Sequence, residues 1–147
     1  RYGEEVMAWV KVRGGATLAN DRTEVHERQR DFVGPFVLDD SDDELQVAGR
    51  IDGAPSINVI AMADEPARRW IDQYLAVPIA GPPPAAPAQL TVAKQGQEFR
   101  LSIGQKGTWW IVFDNTATIA GGTRPPGNLL DDRSAVVSYA VVRSAKR

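Results

Sequence analysis

The sequence predicts a mainly β protein: a single antiparallel β-sandwich of about eight strands, with one short α-helix and a proline-rich crossover. Three observations predict it. Ten prolines and thirteen glycines in 147 residues punctuate the chain into short pieces. Most of those pieces alternate apolar and polar residues, or run apolar on both faces, the patterns of half-wet and buried strands. One stretch alone changes to the helical period. At this length roughly two thirds of the unfolded surface can be buried, so one core suffices without staples. There is no cysteine, hence no disulfide, thiolate metal site or cysteine nucleophile.

The first predicted strand is 5–13, EVMAWVKVR, with Val6, Ala8, Val10 and Val12 on one parity, ended by Gly14-Gly15. Residues 23–31 are almost all polar with alternating charges, an exposed edge strand or a solvated helix. In Phe32–Leu38 the Gly34-Pro35 pair restricts any strand to an edge, or to a fresh start at Phe36, because proline cannot donate to a ladder. Leu45, Val47, Gly49 and Ile51 alternate with Gln46, Ala48 and Arg50. The Asp52-Gly53 turn signal then predicts a hairpin with the largely apolar strand Ile57–Met62.

Over 64–75 the period changes: Ala67, Trp70, Ile71, Tyr74 and Leu75 form one helical stripe, with Asp64 as the expected N-cap and Arg68 and Arg69 facing outward. Five prolines and a glycine in 77–88 forbid regular hydrogen bonding and predict a stiff crossover. It would join halves 1–76 and 89–147, each a marginal core alone, so 1–147 is read as one domain. Leu90–Val92 is a brief strand. In 97–115 two apolar segments, Phe99/Leu101/Ile103 and Trp109–Phe113, flank a Gly-Gln-Lys-Gly turn and predict a second hairpin. Trp109 and Trp110 are neighbours on a strand and so point to opposite faces, which rules out a flat platform made of both. After the long loop 117–132, the apolar strand 135–143 is expected beside that hairpin, followed by a short basic tail.

Net charge is −2, without the basic stripe that nucleic-acid binding requires. Residues 1–75 carry nine basic and fifteen acidic side chains and residues 76–147 eight and four, a split of −6 against +4 that permits head-to-tail self-association or docking on a charged partner. No run of about eighteen apolar residues crosses a membrane as a helix. The chain starts on arginine; a lost signal peptide or anchor is the preferred account, which predicts an extracytoplasmic protein of the periplasm or cell envelope, touching membrane only through that anchor.

His26 is the one histidine, and no G-x-S-x-G elbow, zinc ligand set or phosphate loop accompanies it. The acidic run Asp39, Asp40, Asp42, Asp43 and Glu44 is read as a solvated turn, with a calcium site as the alternative, since calcium takes closely spaced carboxylates. Asp114, at the end of a buried strand, is read as bonding the backbone of the following loop. No enzyme, catalytic residue or cofactor is predicted.

The segment G-T-W-W-I-V-F-D-N-T, 107–116, followed by a loop and a last apolar strand, resembles the closing strands of small extracytoplasmic β-sandwiches of the GOLD-like kind. That resemblance covers the last fifty or so residues and implies a non-catalytic module for contacts with proteins or membrane-bound machinery. The expected function is therefore an accessory subunit that docks on other protein subunits of a membrane-associated complex. Contacts are assigned to the exposed irregular segments: Arg124, Pro125, Pro126, Asn128, Leu129 and Leu130 in the long loop, and Pro82, Pro83 and Pro84 in the connector. The alternatives are a carbohydrate- or calcium-binding module, using Trp9, Trp70, Trp109 or Trp110 for stacking, and a carboxylate-based hydrolase.

Overall fold

The computed structural model describes residues 16–76, 83–116 and 134–146. Along them run β1 (Ala16–Val25), β2 (Arg30–Leu38), β3 (Asp43–Asp52), β4 (Ser56–Ala63), α1 (Asp64–Ala76), β5 (Gln89–Lys94), β6 (Glu98–Ile103), β7 (Gly107–Asp114) and β8 (Ala135–Ala145). They form two four-stranded sheets, sheet A in the order β1-β8-β3-β6 and sheet B in the order β2-β7-β4-β5. Every pairing is antiparallel. The chain changes sheet at each step between consecutive strands except from β4 to β5. This is the winding of a jelly roll.

The predicted β-sandwich is observed, with one helix among the described residues, but the predicted pairings are not. Strands 45–51 and 57–62 do not form a hairpin: β3 lies in sheet A and β4 in sheet B, and Asp52-Gly53 carries the chain from one to the other. The segment 97–115 is likewise an arch between sheets, with β6 against β3 and β7 between β2 and β4. The last strand pairs with β1 and β3, not beside β7. A turn motif reports only that the chain reverses. Whether the two arms bond edge to edge or face each other across a core depends on the other strands. The proline-rich segment also has a different task from the one predicted, because with α1 it joins two neighbours of the same sheet, β4 and β5. Each sheet takes two strands from each half of the chain, so the halves interleave.

The polar stretch 23–31 is neither one strand nor a helix. It ends β1, turns at residues 26–29 and begins β2. β1 and β2 are both edges, and the register of β2 shifts between Val33 and Phe36, where Gly34-Pro35 interrupts it. The strand predicted over 5–13 lies outside the described residues, as does the loop 117–132.

Between the sheets lies the main core. Leu45, Val47 and Ile51 of β3, Phe99 and Leu101 of β6 and Val137, Tyr139 and Val141 of β8 meet Ile57 and Val59 of β4 and Trp109, Ile111 and Phe113 of β7. The Phe113 ring sits 5.0 Å from Tyr139 and 6.3 Å from Phe99. Gly49 makes this possible: a Cβ there would lie 2.8 Å from the Phe99 ring and 2.2 Å from the Ser138 carbonyl oxygen.

A second, smaller cluster lies on the other face of sheet B, where α1 packs. Ala67 and Trp70 of the helix cover Ile60, Met62 and Val112, with Phe32 and Trp110 at the margin. Trp70 and Phe32 meet edge to face, centroids 5.5 Å apart. The helical stripe is observed up to Tyr74, whereas Leu75 projects into solvent, 74% exposed.

Candidate functional site

Beneath α1 the outer face of sheet B carries a row of polar residues where its neighbours are apolar. Arg30 begins β2 and pairs in register with Asp114 at the end of β7, which in turn pairs with Asn58 of β4. Alternation puts all three on the α1 side of the sheet, because the residues between them, Ile57, Val59 and Phe113, belong to the main core. Arg30, Asn58 and Asp114 are all buried.

Arg30 Nε lies 3.0 Å from Asp114 Oδ1, with both side chains almost fully shielded from solvent. The same oxygen accepts from Thr116 Oγ1 at 2.7 Å, and Thr116 Oγ1 accepts from Arg30 Nη2 at 3.4 Å. The guanidinium carbon stands 4.5 Å from the centroid of the Trp70 ring, a cation–π contact that ties the helix to the row. Burial pushes the Asp114 carboxyl up, opposed by the Arg30 charge and by bonds from Thr116. Burial equally pulls the Arg30 guanidinium down, opposed by Asp114. Each ion thus resists desolvation chiefly through the other.

Asn115 and Thr116 complete the segment. Asn115 Nδ2 donates to the Val25 carbonyl at 3.0 Å, and backbone bonds join Asn115 to Arg28 and Gln29, locking the β1–β2 turn onto the end of β7. The Asp-Asn-Thr sequence after Phe113 is therefore a structural clasp. Asp114 stands at a strand end, as its place in the sequence predicts, but the predicted bond to the backbone of the following loop leaves out the Thr116 hydroxyl and the main partner, Arg30. Arg30 sat in a stretch read as solvated, and its only signal was the shared parity with Phe32.

The acidic run is also engaged. Arg143 of β8 pairs with Asp39 and, at 2.9 Å, with Asp43 Oδ2. Asp40 Oδ1 accepts from the Asp42 backbone at 2.9 Å, and Glu44 bonds Gln46. Among the described residues no group of three or more His, Asp or Glu side chains is arranged to hold a metal ion. Pro83 and Pro84 are half-buried and irregular. Pro82, Arg124, Pro125, Pro126, Asn128, Leu129 and Leu130 lie outside the described residues.

The tryptophans are largely occupied. Trp70 and Trp109 are buried. Trp110 faces outward beside α1, donates from Nε1 to Asp64 Oδ1 at 2.9 Å and has Arg68 5.7 Å over its ring. Asp64 therefore does not act through its side chain as the predicted cap, but binds Trp110 and, at 2.8 Å, Arg68. Trp9 lies outside the described residues. His26 Nδ1 and Ser134 Oγ are 2.8 Å apart, one step beyond the Val25–Ala135 pair of the β1–β8 ladder.

The four sheet edges differ in how they meet solvent. β1 exposes Leu18 but sets it beside Asn20, Asp21, Arg22 and Glu24; β2 exposes Val37 but is interrupted at Gly34-Pro35; β6 turns Arg100 and Ser102 outward. β5 has no such guard along its middle. It turns Leu90 and Val92 out, 42% and 37% exposed, with Lys94 only at its end. Among the described residues nothing pairs with its far side.

No helix among the described residues is long and apolar enough to cross a membrane. No family model and no curated protein matches the chain. Among solved structures, a chain of the Bacillus endospore appendages, described as a novel family of disulfide-linked pili, aligns over 90% of this chain and 91% of its own, with a TM-score of 0.42 and 8% identity. A likeness at that level carries no argument about function.

Proposed function

We propose that this domain is a non-enzymatic protein-interaction module, an extracytoplasmic accessory subunit that docks on other subunits of an assembly through the edge of β5 that no described residue pairs. The observation that supports this reading is the contrast among the edges. An unguarded edge with outward apolar residues is what natural sheets avoid unless it is covered, and an added strand covers it with main-chain hydrogen bonds while side-chain contacts give selectivity. Three of the carboxylates are held in ion pairs, Asp114 with Arg30, and Asp39 and Asp43 with Arg143, which fits structural roles for them.

The test is affinity capture and mass measurement on the full chain from its native source, in parallel with a Leu90→Lys/Val92→Lys variant. Both side chains are exposed, so the variant is expected to fold with stability changed by no more than about 1 kcal/mol. It is expected to lose its partner, with binding weakened at least about tenfold. A variant that retains its partner at full affinity, or a wild-type chain that is monomeric and captures nothing, sinks the proposal. Fractionation of the full-length gene product checks the compartment.

A further inference from the structure

Buried polar atoms in folded proteins nearly always have a hydrogen-bond partner, and the exceptions call for an explanation. Here four of them belong to three residues of the packing between α1 and sheet B: Asn58 Nδ2 and Oδ1, Asp114 Oδ2 and Trp70 Nε1 are all buried without a protein partner. Asn58 and Asp114 are direct register neighbours on the outer face of sheet B, and Trp70 lies over Arg30, the other register partner of Asp114. Asn58 and Asp114 are completely buried, and Trp70 is 1% exposed.

The chemistry of these atoms selects the partner they would take. It has to accept from an indole N–H and an amide N–H and donate to a carboxylate oxygen, so it needs donors and acceptors together. It has to be neutral, because the Arg30 and Asp114 charges already balance across 3.0 Å. Finally it has to be small, because α1 closes over the row with Trp70. A cation would meet the Arg30 guanidinium, and an anion would meet the Asp114 carboxylate. Water meets every condition, and internal water typically makes about three hydrogen bonds to groups of this kind.

We infer that the row beneath α1 is a binding site for an ordered internal water, which accepts from Trp70 Nε1 and Asn58 Nδ2 and donates to Asp114 Oδ2. The helix then rests on the sheet through three polar links spread along β7: the cation–π contact of Arg30 and the water at the Asp114 end, and the Trp110–Asp64 bond at the first turn of the helix. The site adjoins the β5 edge, Asn58 being the register partner of Val92, but the two are read by different variants and different signals, so either can fail without the other.

The experiment is solution NMR on the full chain, reading the indole proton of Trp70, with the resonance assigned by its loss in Trp70→Phe. A bound water gives a cross-peak to the water line with opposite sign in nuclear Overhauser and rotating-frame spectra. That peak is expected in the wild type and is expected to disappear in Asn58→Leu, whose side chain removes the amide. A crystal structure supplies the second readout: solvent density within hydrogen-bond distance of Trp70 Nε1, Asn58 Nδ2 and Asp114 Oδ2. Two results overturn the inference. One is a wild-type peak that is missing or has the sign of simple exchange; the other is density in which the Asn58 amide bonds Asp114 directly with no solvent between them.

Discussion

The two faces of sheet B answer to different requirements. Towards sheet A, β4 and β7 present Ile57, Val59, Trp109, Ile111 and Phe113, an apolar set that volume and alternation are enough to specify. Towards α1 the same strands present Asn58, Ile60, Met62, Trp110, Val112 and Asp114, with Arg30 and Phe32 added from β2. Two rows of that face are greasy and one is charged. An apolar face accepts a helix in many positions, whereas a buried charge accepts only the arrangement that pairs it. Sandwich closure thus depends on packing, and the placement of α1 on polar partners.

The largest expected effect breaks this contrast directly. Arg30→Met is expected to cost about 3–5 kcal/mol at neutral pH, because Asp114 is left buried without its cation. Burial already pushes Asp114 up, and Arg30 is the first group opposing it. Without Arg30 the carboxyl rises further, so the folded variant binds a proton over a range where the unfolded chain does not. Stability of the variant therefore falls as pH rises through that range and recovers on acidification. Adding Asp114→Leu is expected to return most of the loss. Phe113→Ala, on the inner face, is expected to cost a similar amount, about 3–5 kcal/mol, with no comparable dependence on pH. Urea unfolding at several pH values makes the comparison; parallel pH profiles for the two single variants, or a double variant no better than Arg30→Met, would remove the distinction.

The fold class, the helix and its boundaries were legible because each rests on a local period. The pairings were not. The sequence near Asp52-Gly53 and Gly104–Gly107 records a reversal of direction, while the choice between hairpin and arch rests on distant partners: β3 pairs with β8 and β6, and β7 with β2 and β4. The polar row was hidden for the same reason, since Arg30 and Asp114 are 84 positions apart and become neighbours only when β2 meets β7. The helical stripe was read one residue too far, and this gives a smaller contrast to test. Trp70 and Leu75 share the stripe, yet one is 1% exposed and the other 74%. Trp70→Ala is expected to cost about 3–5 kcal/mol, with early loss of α1 in hydrogen exchange. Leu75→Lys is expected to stay within about 0.5 kcal/mol. Equal effects would place the helix differently on the sheet.

The smallest effect separates the two acidic anchors of α1 by the sign of their response to pH. Asp64 is held below the usual carboxylate range, first by the hydrogen bond from Trp110 and then by Arg68, against some opposition from burial. Its folded value lies under its unfolded one, so its contribution is fully present above about pH 4 and is lost as pH falls through the lowered value. Asp114 runs the other way, its folded value raised by burial, so that its ionised form is the one the folded state disfavours. In Asp64→Asn the titrating group is gone while an oxygen remains for the Trp110 indole to donate to. The stability difference between wild type and this variant is therefore expected to be smallest at the acid end, to grow as pH rises to about 4, and to stay level above it. A difference that instead grew on acidification would mean that Asp64 is not held by Trp110 and Arg68. The outer face would then be anchored by the buried row alone.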